Sequence, residues 1–532
     1  MLPYEIDHIQ QLRTIAPECM VLLRYDGTFP LTSPGKVALY GSGARNTIKG
    51  GTGSGDVNVR QFTTVEQGLE KAGFTVTTKS WLDAYQTLRR KAHKAFVADI
   101  KEKAKAQGVP PLLLGMGAVV AEPEYELPLE GEGTVCIYVL GRISGEGSDR
   151  RSIPGDFQLT ESEIRDIHLC ALQYEKFMLV LNVGGVVDLS PVMDINNILL
   201  LSQTGMTIGD SLADVLLGKA YPSGKLASTW SKWEDYCQVG DFGCQDDTRY
   251  REGIYVGYRY FDTVFKEPLF PFGFGLSYTQ FQVEDLAVTA EGSVVTVKAR
   301  VTNIGSHPGK EVLQLYVSLP GKKLDQPYQC LAAFGKTSEL IPNQSEELTL
   351  TFSMEELASF DTSTARMILE SGDYVLRLGT SRRDTIVCAA VRLQGNMVIK
   401  KLSHIGGVPD FEDWIPEAPH RFTPDEVERL PSYRILVMSG VDFVQRSVPS
   451  SPQVPKRIQQ FVSSLTEEEL CYIVLGGYRG QGSRSIVGAA GQRVAGAAGE
   501  TVGLYEDRGL PVIVMADGPA GLRLNQDYVR EG

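Results

Sequence analysis

A short stretch around residue 146 combines an acidic side chain, small neighbours and basic groups in a pattern that suits acid/base chemistry. The sequence GRISGEGSDR runs from residue 141 to 150, so Glu146 stands between two glycines and near Arg142, Arg150 and Arg151. Glycines leave a carboxylate with little steric cover, and guanidinium groups influence its position and protonation. A general acid needs that access and a tunable pKa. Taken alone, the same residues also fit a surface ion pair.

Two glycine clusters raise the question of nucleotide binding. Residues 41–43 read GSG after a predicted strand, but residue 46 is Asn where the dinucleotide fingerprint has its third glycine. Residues 49–56 read KGGTGSGD and lack the final Gly-Lys-Ser/Thr of a phosphate loop. The hypothesis of a nucleotide-dependent α/β enzyme is supported by these two clusters alone. Glycines at this density indicate a tight loop whose backbone closely approaches another element or a substrate.

The elements that must position these motifs alternate between apolar β-branched runs and helical patterns, as in a sheet flanked by helices. Residues 160–163 read TESE and fit a capping box at the start of a helix. The segment before it, 141–158, is therefore predicted to be a loop at a strand's carboxyl end, where open α/β sheets bind ligands. Strands are predicted at 37–40, 74–78, 134–140, 178–183 and 195–201, and helices at 65–72, from 160 and at 209–217.

After residue 278 the pattern changes to short alternating strands separated by turns, which predicts an all-β sandwich of about 100 residues. Its strands are predicted at 294–303, 311–318, 346–352 and 372–378. Eight prolines between 400 and 455 indicate a linker. Beyond it come a second capping box at 466–469, a glycine-rich stretch and an apolar strand at 511–516. One convincing buried strand cannot close an α/β domain, so we expect this last domain to be incomplete.

Composition narrows the classes of function. The chain has 532 residues, 42% hydrophobic and 22% charged, which is enough for three or four domains. Its net charge of −13 disfavours a nucleic-acid partner. No apolar run approaches the ~18–20 residues that span a bilayer, and the N-terminus carries no export signal, so a soluble cytoplasmic protein is expected. The eight cysteines are scattered, and neither a metal nor a cofactor is expected.

Several separate stretches, in order along the chain, resemble β-glucosidases of glycoside hydrolase family 3, with the domains in permuted order. They cover roughly the first 400 residues and lie at 20–24, 49–55, 143–156, 213–226, 254–260, 272–278 and 303–312. The run SSLTEEEL at 463–470 and the run DGPAGLR at 517–523 resemble the beginning of the family's (β/α)8 barrel. In the commoner order that barrel precedes the other domains.

The resemblance implies a multidomain fold with four parts. An α/β sandwich with a flavodoxin-like layered sheet is expected over residues 1–280, where it carries the acid/base loop. A fibronectin type III-like β-sandwich follows over 281–398, and a Pro-rich linker over 399–455. Residues 456–532 are expected to be the N-terminal fragment of the (β/α)8 barrel, truncated after its first strand.

The resemblance also implies a retaining mechanism, in which one carboxylate attacks the anomeric carbon while an acid protonates the leaving oxygen. Glu146 matches the acid/base, and a partly desolvated cleft should raise its pKa. Arg142 and Arg150 would oppose that rise if they lay too close to it. With Lys49 and Asp56, these two arginines are the further candidates for the loops of the site.

Other positions take their roles from the resemblance alone. Asp517 matches the aspartate after the first barrel strand and should hydrogen-bond sugar hydroxyls, and Arg523 is expected to assist it. A turn residue in Asp-Gly-Pro is the simpler interpretation of Asp517. The motif that holds the family's nucleophile does not occur in the sequence.

The expected function is hydrolysis of terminal non-reducing β-D-glucosyl residues from a β-glucoside or β-linked oligosaccharide. Residues 1–532 alone are expected to be inactive without the rest of the barrel, supplied in the same chain or by a partner such as a second copy. Two alternatives stay open: a carbohydrate-binding or interaction module without catalysis, and a β-xylosidase.

Overall fold

The computed structural model describes the chain except for residues 53–58, 116–117, 119, 144–148, 241–243, 245, 408, 444–453, 477–492, 495–496, 517–521, 523 and 525–532. Four predicted site residues, Asp56, Glu146, Asp517 and Arg523, lie outside the described residues. The chain divides into two compact units. The first comprises residues 1–50 and 61–446, and the second comprises residues 51–60 and 447–532.

The first unit contains a six-stranded sheet whose strands are β1 (Val21–Arg24), β2 (Lys36–Tyr40), β3 (Thr75–Val76), β4 (Val135–Arg142), β5 (Lys176–Val183) and β6 (Ile198–Leu200). Their spatial order is β1-β6-β5-β4-β2-β3. Strand β1 is antiparallel to β6, and the other neighbours are parallel. The five parallel strands follow the 2-1-3-4-5 order of flavodoxin-like sheets, which reverses direction between β2 and β4. Strands β4 and β5 are buried almost throughout because helices cover both faces of such a sheet.

Seven helices are described in this part of the chain: α1 (Pro3–Cys19), α2 (Val65–Lys71), α3 (Lys79–Gln107), α4 (Pro111–Gly115), α5 (Glu161–Gln173), α6 (Ile208–Leu216) and α7 (Tyr258–Thr263). The predicted helices α2, α5 and α6 are confirmed within one residue. The capping box of α5 is also confirmed: the Thr160 hydroxyl accepts from the Glu163 amide at 3.1 Å, and the Glu163 carboxylate accepts from the Thr160 amide at 2.9 Å. Helices α2 and α6 touch so closely that a Cβ on Gly209 would lie 2.0 Å from the Thr64 carbonyl oxygen.

The sequence analysis does not predict α1 and α3. In α3 the buried residues are Trp81, Leu82, Tyr85 and Ala104, so most of this 29-residue helix is at least partly exposed. The sequence analysis overlooks its hydrophobic face, which is narrow and stands among many charged residues. No helix in the described part of the chain is long and apolar enough to cross a membrane.

The remainder of the first unit is a β-sandwich. Its larger sheet contains β9 (Val312–Ser318), β10 (Gln329–Lys336), β14 (Gly372–Gly379), β15 (Thr385–Leu393) and β17 (Ile435–Met438), and the facing sheet contains β7 (Phe281–Glu291), β8 (Val294–Asn303) and β11 (Ser345–Ser353). Side chains from both sheets bury one shared core. A third small sheet is formed by β12 (Ser359–Asp361), β13 (Arg366–Leu369) and β16 (Met397–Lys401). The predicted strands of the sandwich are confirmed to within one or two residues.

The predicted linker, 399–455, contains short elements of secondary structure that pack on the sandwich. It contains α8 (Pro424–Glu428) and β17, which pairs in parallel with β15 at the edge of the larger sandwich sheet. Val427 packs into a small core with Val375 and Ala390. The Glu426 carboxylate forms an ion pair with Arg377 of β14, at a distance of 2.9 Å. The frequent prolines obscure these short elements, whose stability depends on the sandwich beneath them.

The second unit contains α9 (Lys456–Ser463), α10 (Glu467–Leu475), β18 (Gly499–Glu500) and β19 (Val514–Met515). The predicted capping box at Thr466 and Glu469 is confirmed. The predicted strand 511–516 is shorter than expected, and in the described part of this unit it pairs antiparallel with β18. The parallel pairing of a barrel strand is not seen there.

Candidate acid/base site

A polar cavity opens at the carboxyl ends of β2 and β4, where the strand order of the sheet reverses. Its volume is about 80 Å3, and its polar lining includes Ser42, Asn46, Arg89, Glu122, Arg142 and Asp156. This is the point at which open α/β sheets bind their ligands. The predicted acid/base loop leaves β4 here, because Arg142 is the last residue of the strand and Ile143 lines the cavity.

Arg142 is buried and anchors the first end of the loop. Its guanidinium donates to both carboxylate oxygens of Glu163, at 2.8 and 2.5 Å, and also donates to the carbonyl oxygens of Gly141 and Asp156. The side chains of Arg142 and Glu163 are 4% and 2% exposed. Glu163 therefore joins β4 to the start of α5, since the same carboxylate also completes the capping box with Thr160.

Asp156 anchors the other end of the loop. Its carboxylate accepts from Nε of Arg150 at 2.5 Å and from Nε of Arg151 at 3.0 Å, and it also accepts from the backbone amide of Arg151. Burial acts to raise the pKa of Asp156, but the hydrogen bonds from the two arginines prevail and hold this pKa below its ordinary value. Ion pairs thus hold both ends of the segment 143–155, and the carboxylates of these pairs have little solvent exposure.

Glu122 is a residue of this site that sequence reasoning missed. It is buried beside the cavity, accepts a hydrogen bond from the Tyr85 hydroxyl, and lies 3.3 Å from Nε of Arg89. Burial raises the pKa of Glu122, although Arg89 and Arg142 oppose the rise. Its backbone amide donates to the Gly155 carbonyl, which joins it to the loop. No motif marks this glutamate, because its partners lie far away in the sequence.

The glycine cluster at 41–43 serves packing within the sheet. A Cβ on Gly41 would lie 2.4 Å from the Val139 carbonyl oxygen, and the Gly43 amide donates to that same oxygen at 2.9 Å. Of the two interpretations given to this cluster, approach to another element is the one that the structure shows. The nucleotide hypothesis loses this part of its support.

Lys49 lies in the loop after β2, which the amide side chain of Asn182 holds in place. Asn182 accepts from the Ile48 amide at 2.6 Å and donates to the carbonyl oxygens of Ile48 and Ser202. The Lys49 carbonyl oxygen accepts from the Gly205 amide at 3.0 Å. Ile48, next to Lys49, lines the cavity at the end of β4.

Of the predicted site residues, the structure brings Arg142 and Arg150 together, since both donate to Asp156. Glu146 lies in the segment between them that is outside the described residues. Glu163 and Asp156 compensate two of the three guanidinium groups of Arg142, Arg150 and Arg151, and the remaining positive charge is shared with Arg151, whose side chain is half-exposed. Such a frame can fix the position of a general acid without strongly favouring its ionised form.

Comparison with known proteins identifies the two parts of the first unit. Residues 20–278 match the Glycosyl hydrolase family 3 C-terminal domain, and residues 311–382 match the Fibronectin type III-like domain. Over 97% of its length the chain is 30% identical to Beta-glucosidase A of Butyrivibrio fibrisolvens, and it covers 69% of that protein. The chain therefore belongs to glycoside hydrolase family 3.

Two solved structures are also similar. A β-glucosidase from Paenibacillus barengoltzii aligns with 97% of this chain at 29% identity and a TM-score of 0.70. β-Glucosidase 3B from Thermotoga neapolitana, in complex with glucose, aligns with 75% of the chain at 33% identity and a TM-score of 0.61. The chain spans 58% and 55% of these two proteins, a little more than half of each.

Proposed function

We propose that this chain supplies the acid/base side of the active site of a retaining β-glucosidase, which removes terminal non-reducing β-D-glucosyl residues. The observation that supports it best is the position of the two described ends of the segment that contains Glu146. This segment leaves β4 where the strand order reverses, and ion pairs of Arg142 and Asp156 hold its two ends. Membership of the family is the second support for proposing this role for the segment.

In the proposed reaction Glu146 acts twice. It first donates its proton to the glycosidic oxygen as the aglycone leaves, and it then takes a proton from the water that attacks the glycosyl–enzyme intermediate. The nucleophile is proposed to lie on residues outside 1–532, about 5–5.5 Å from Glu146 in the assembled site, as retaining chemistry requires. Arg142 and Arg150 are proposed to position the loop through Glu163 and Asp156 rather than to contact the sugar.

We also propose that residues 456–532 are the beginning of the family's barrel, with Asp517 and Arg523 directed toward the sugar. Support comes from the alignment with the Butyrivibrio protein, which covers 97% of this chain. Only about 16 residues lie outside that alignment, so most of the terminal segment has a counterpart in the same order in that relative. Residues 1–280, 281–398 and 399–455 are proposed as the α/β domain, the fibronectin-like domain and the connecting segment.

A β-glucoside is the proposed substrate because the similar proteins reported above are named β-glucosidases, and one of them was solved with glucose. An assay on aryl β-glucoside and aryl β-xyloside, with the chain alone and with the chain joined to a barrel continuation, tests this choice. The chain alone is expected to hydrolyse neither above background. Robust turnover by residues 1–532 would show that another carboxylate in this chain is the nucleophile.

The role of Glu146 is tested in the longer protein by Glu146→Gln. General acid catalysis contributes about 10²–10⁴-fold, so glucosides with poor leaving groups should slow by that factor and activated aryl glucosides much less. Azide should partly restore turnover of the activated substrates. Glu130→Gln, at an exposed carboxylate of the same unit, is the matched control and should match the wild type. Equal losses on both substrate types would indicate a positional role, and sugar binding without any turnover would favour the binding module.

A further inference from the structure

A second cleft, separate from the acid/base loop, lies where α1 packs against α6 and meets the loops of the β-sandwich. Its volume of about 650 Å3 falls within the range of about 300–1,000 Å3 for small-molecule sites. Ser223 lines it, and the next residue, Gly224, is hydrogen-bonded to Met20, which directly precedes β1. Strand β1 is three positions from β4, about 14 Å across the sheet. The cleft shares no lining residue with the cavity beside Arg142.

The charges on the walls of this cleft cancel. Three cationic and three anionic side chains line it: Arg13, Lys219, Lys310, Glu18, Asp214 and Glu339. Arg13 donates two hydrogen bonds to Asp214, at 2.6 and 2.8 Å, and Lys310 lies 2.6 Å from Glu18. At these four residues an anion or a cation would have to compete with an existing partner, and Lys219 and Glu339 add opposite charges, whereas a neutral ligand can use both donors and acceptors. The lining therefore favours an uncharged polar ligand.

One polar group in the cleft lacks a partner. The Ser223 hydroxyl is buried, with the residue 4% exposed, and its oxygen has no hydrogen-bond partner in the described part of the chain. This oxygen is shielded in the structure, so a ligand hydroxyl reaches it only after the Ser223 side chain rotates, and the hydrogen bond then formed would recover the free energy that the unpartnered hydroxyl costs. The Gln10 amide, which also lines the cleft, offers a further donor and acceptor.

The cleft also offers apolar surface, from the ring of Tyr221 and from Ile6, Ile9 and Pro17. The Tyr221 ring packs near two other rings, that of Tyr278 with centroids 6.5 Å apart and that of His307 with centroids 6.4 Å apart. A pyranose presents apolar C–H faces and hydroxyl edges, so it matches this combination of an aromatic ring, a buried hydroxyl and balanced charges. We propose that this cleft binds a neutral carbohydrate, such as a β-linked disaccharide, as a second sugar site.

Binding of cellobiose to the full chain, followed by ligand-observed NMR and calorimetry, tests the proposal without any need for hydrolysis. Ser223→Ala removes a hydroxyl that has no protein partner, so the fold should be retained while cellobiose binds about three- to ten-fold more weakly. Tyr221→Ala should weaken binding at least as much. Ser80→Ala, at an exposed serine of α3, is the matched control and should leave binding unchanged.

The proposal also predicts selectivity for uncharged sugars, so glucose 6-phosphate should bind more weakly than glucose. It is overturned if cellobiose shows no saturable binding at millimolar concentration, or if Ser223→Ala and Tyr221→Ala both bind it like the wild type. Because the measurement is binding, failure of the catalytic role of Glu146 would not change its outcome. Circular dichroism of each variant separates lost binding from lost folding, and Ser223→Ala decides the matter if Tyr221→Ala does not fold.

Discussion

Replacing Arg142 by Met should strongly destabilise the central sheet. The substitution keeps an unbranched apolar stem but removes the guanidinium that donates to both oxygens of Glu163 and to two backbone carbonyls. The Glu163 carboxylate, with its side chain 2% exposed, then stays buried without a cation. Removing one partner of a buried pair costs about 3–5 kcal/mol, because the other charge is left uncompensated. That corresponds to roughly a hundred- to several-thousand-fold increase in the opening equilibrium of the sheet.

Hydrogen exchange measured by mass spectrometry on the peptide that contains β4 reports this opening, since its most protected amides exchange only when the sheet unfolds. Lys36→Met is the matched control on the same sheet: its partner is Glu132, both side chains are more than half exposed, and such pairs contribute about 0–1 kcal/mol. The double variant Arg142→Met with Glu163→Gln removes both charges and should cost about 2–3 kcal/mol less than the sum of the single variants. If Arg142→Met speeds exchange no more than Lys36→Met, or if the two substitutions are additive, the reasoning about this pair is wrong.

Two further predictions concern the loop anchor and the added strand. Because the arginines hold the pKa of Asp156 below its ordinary value, the ionised carboxylate stabilises the fold above about pH 4, and this contribution is lost as the pH falls through the lowered pKa. Asp156→Asn should therefore be less stable than the wild type at neutral pH and approach it in acid, as measured by urea unfolding at several pH values; a difference that does not change with pH would contradict this. Met438→Ala, at a buried position of β17, should cost about 2–5 kcal/mol. Val437→Ala, at a side chain that is 58% exposed, should cost less than about 0.5 kcal/mol, and hydrogen exchange of β15 distinguishes the two; equal effects would show that β17 does not pack on the sandwich.

The elements that the sequence predicts well are those whose signal is local. Capping boxes at Thr160 and Thr466 use side chains three residues from their partners, and the strands of the sheet and sandwich are continuous or alternating apolar runs. Helices α1 and α3 bury few residues, and β17 is four residues long. In α3 a pattern was available, since Ala92, Phe96, Ile100 and Ala104 repeat every four residues as one face of a helix.

The residues of the candidate site likewise fall into those that a local sequence pattern reveals and those that it does not. Glu146, Arg142 and Arg150 could be selected from one short segment, because a carboxylate between glycines and arginines is a local pattern. Their partners could not be selected in this way. Glu163 was visible only as a helix-capping residue, and Glu122 reaches the cavity because α3 brings Tyr85 and Arg89 to it from more than thirty residues earlier. Pairings of this kind depend on the strand order of the sheet, which periodicity does not specify.

A loop rich in arginine is at first sight a poor place for the general acid proposed here, Glu146, which must hold its proton until the aglycone leaves. An unpaired guanidinium about 4 Å from a carboxylate would favour its ionised form by about 4 kcal/mol at an effective dielectric constant of 20, or roughly three pKa units. Glu163 compensates Arg142, and Asp156 is shared by Arg150 and the half-exposed Arg151, so the carboxylates remove much of that field but keep the directional hydrogen bonds that fix the backbone at both ends of the loop. The arginines can therefore supply geometry without forcing ionisation of Glu146, and this separation depends on the two carboxylates. Loss of either carboxylate should loosen the loop and also leave a cation uncompensated near the proposed acid. The variant should therefore lose both the position of the Glu146 side chain and the protonated form that the reaction needs.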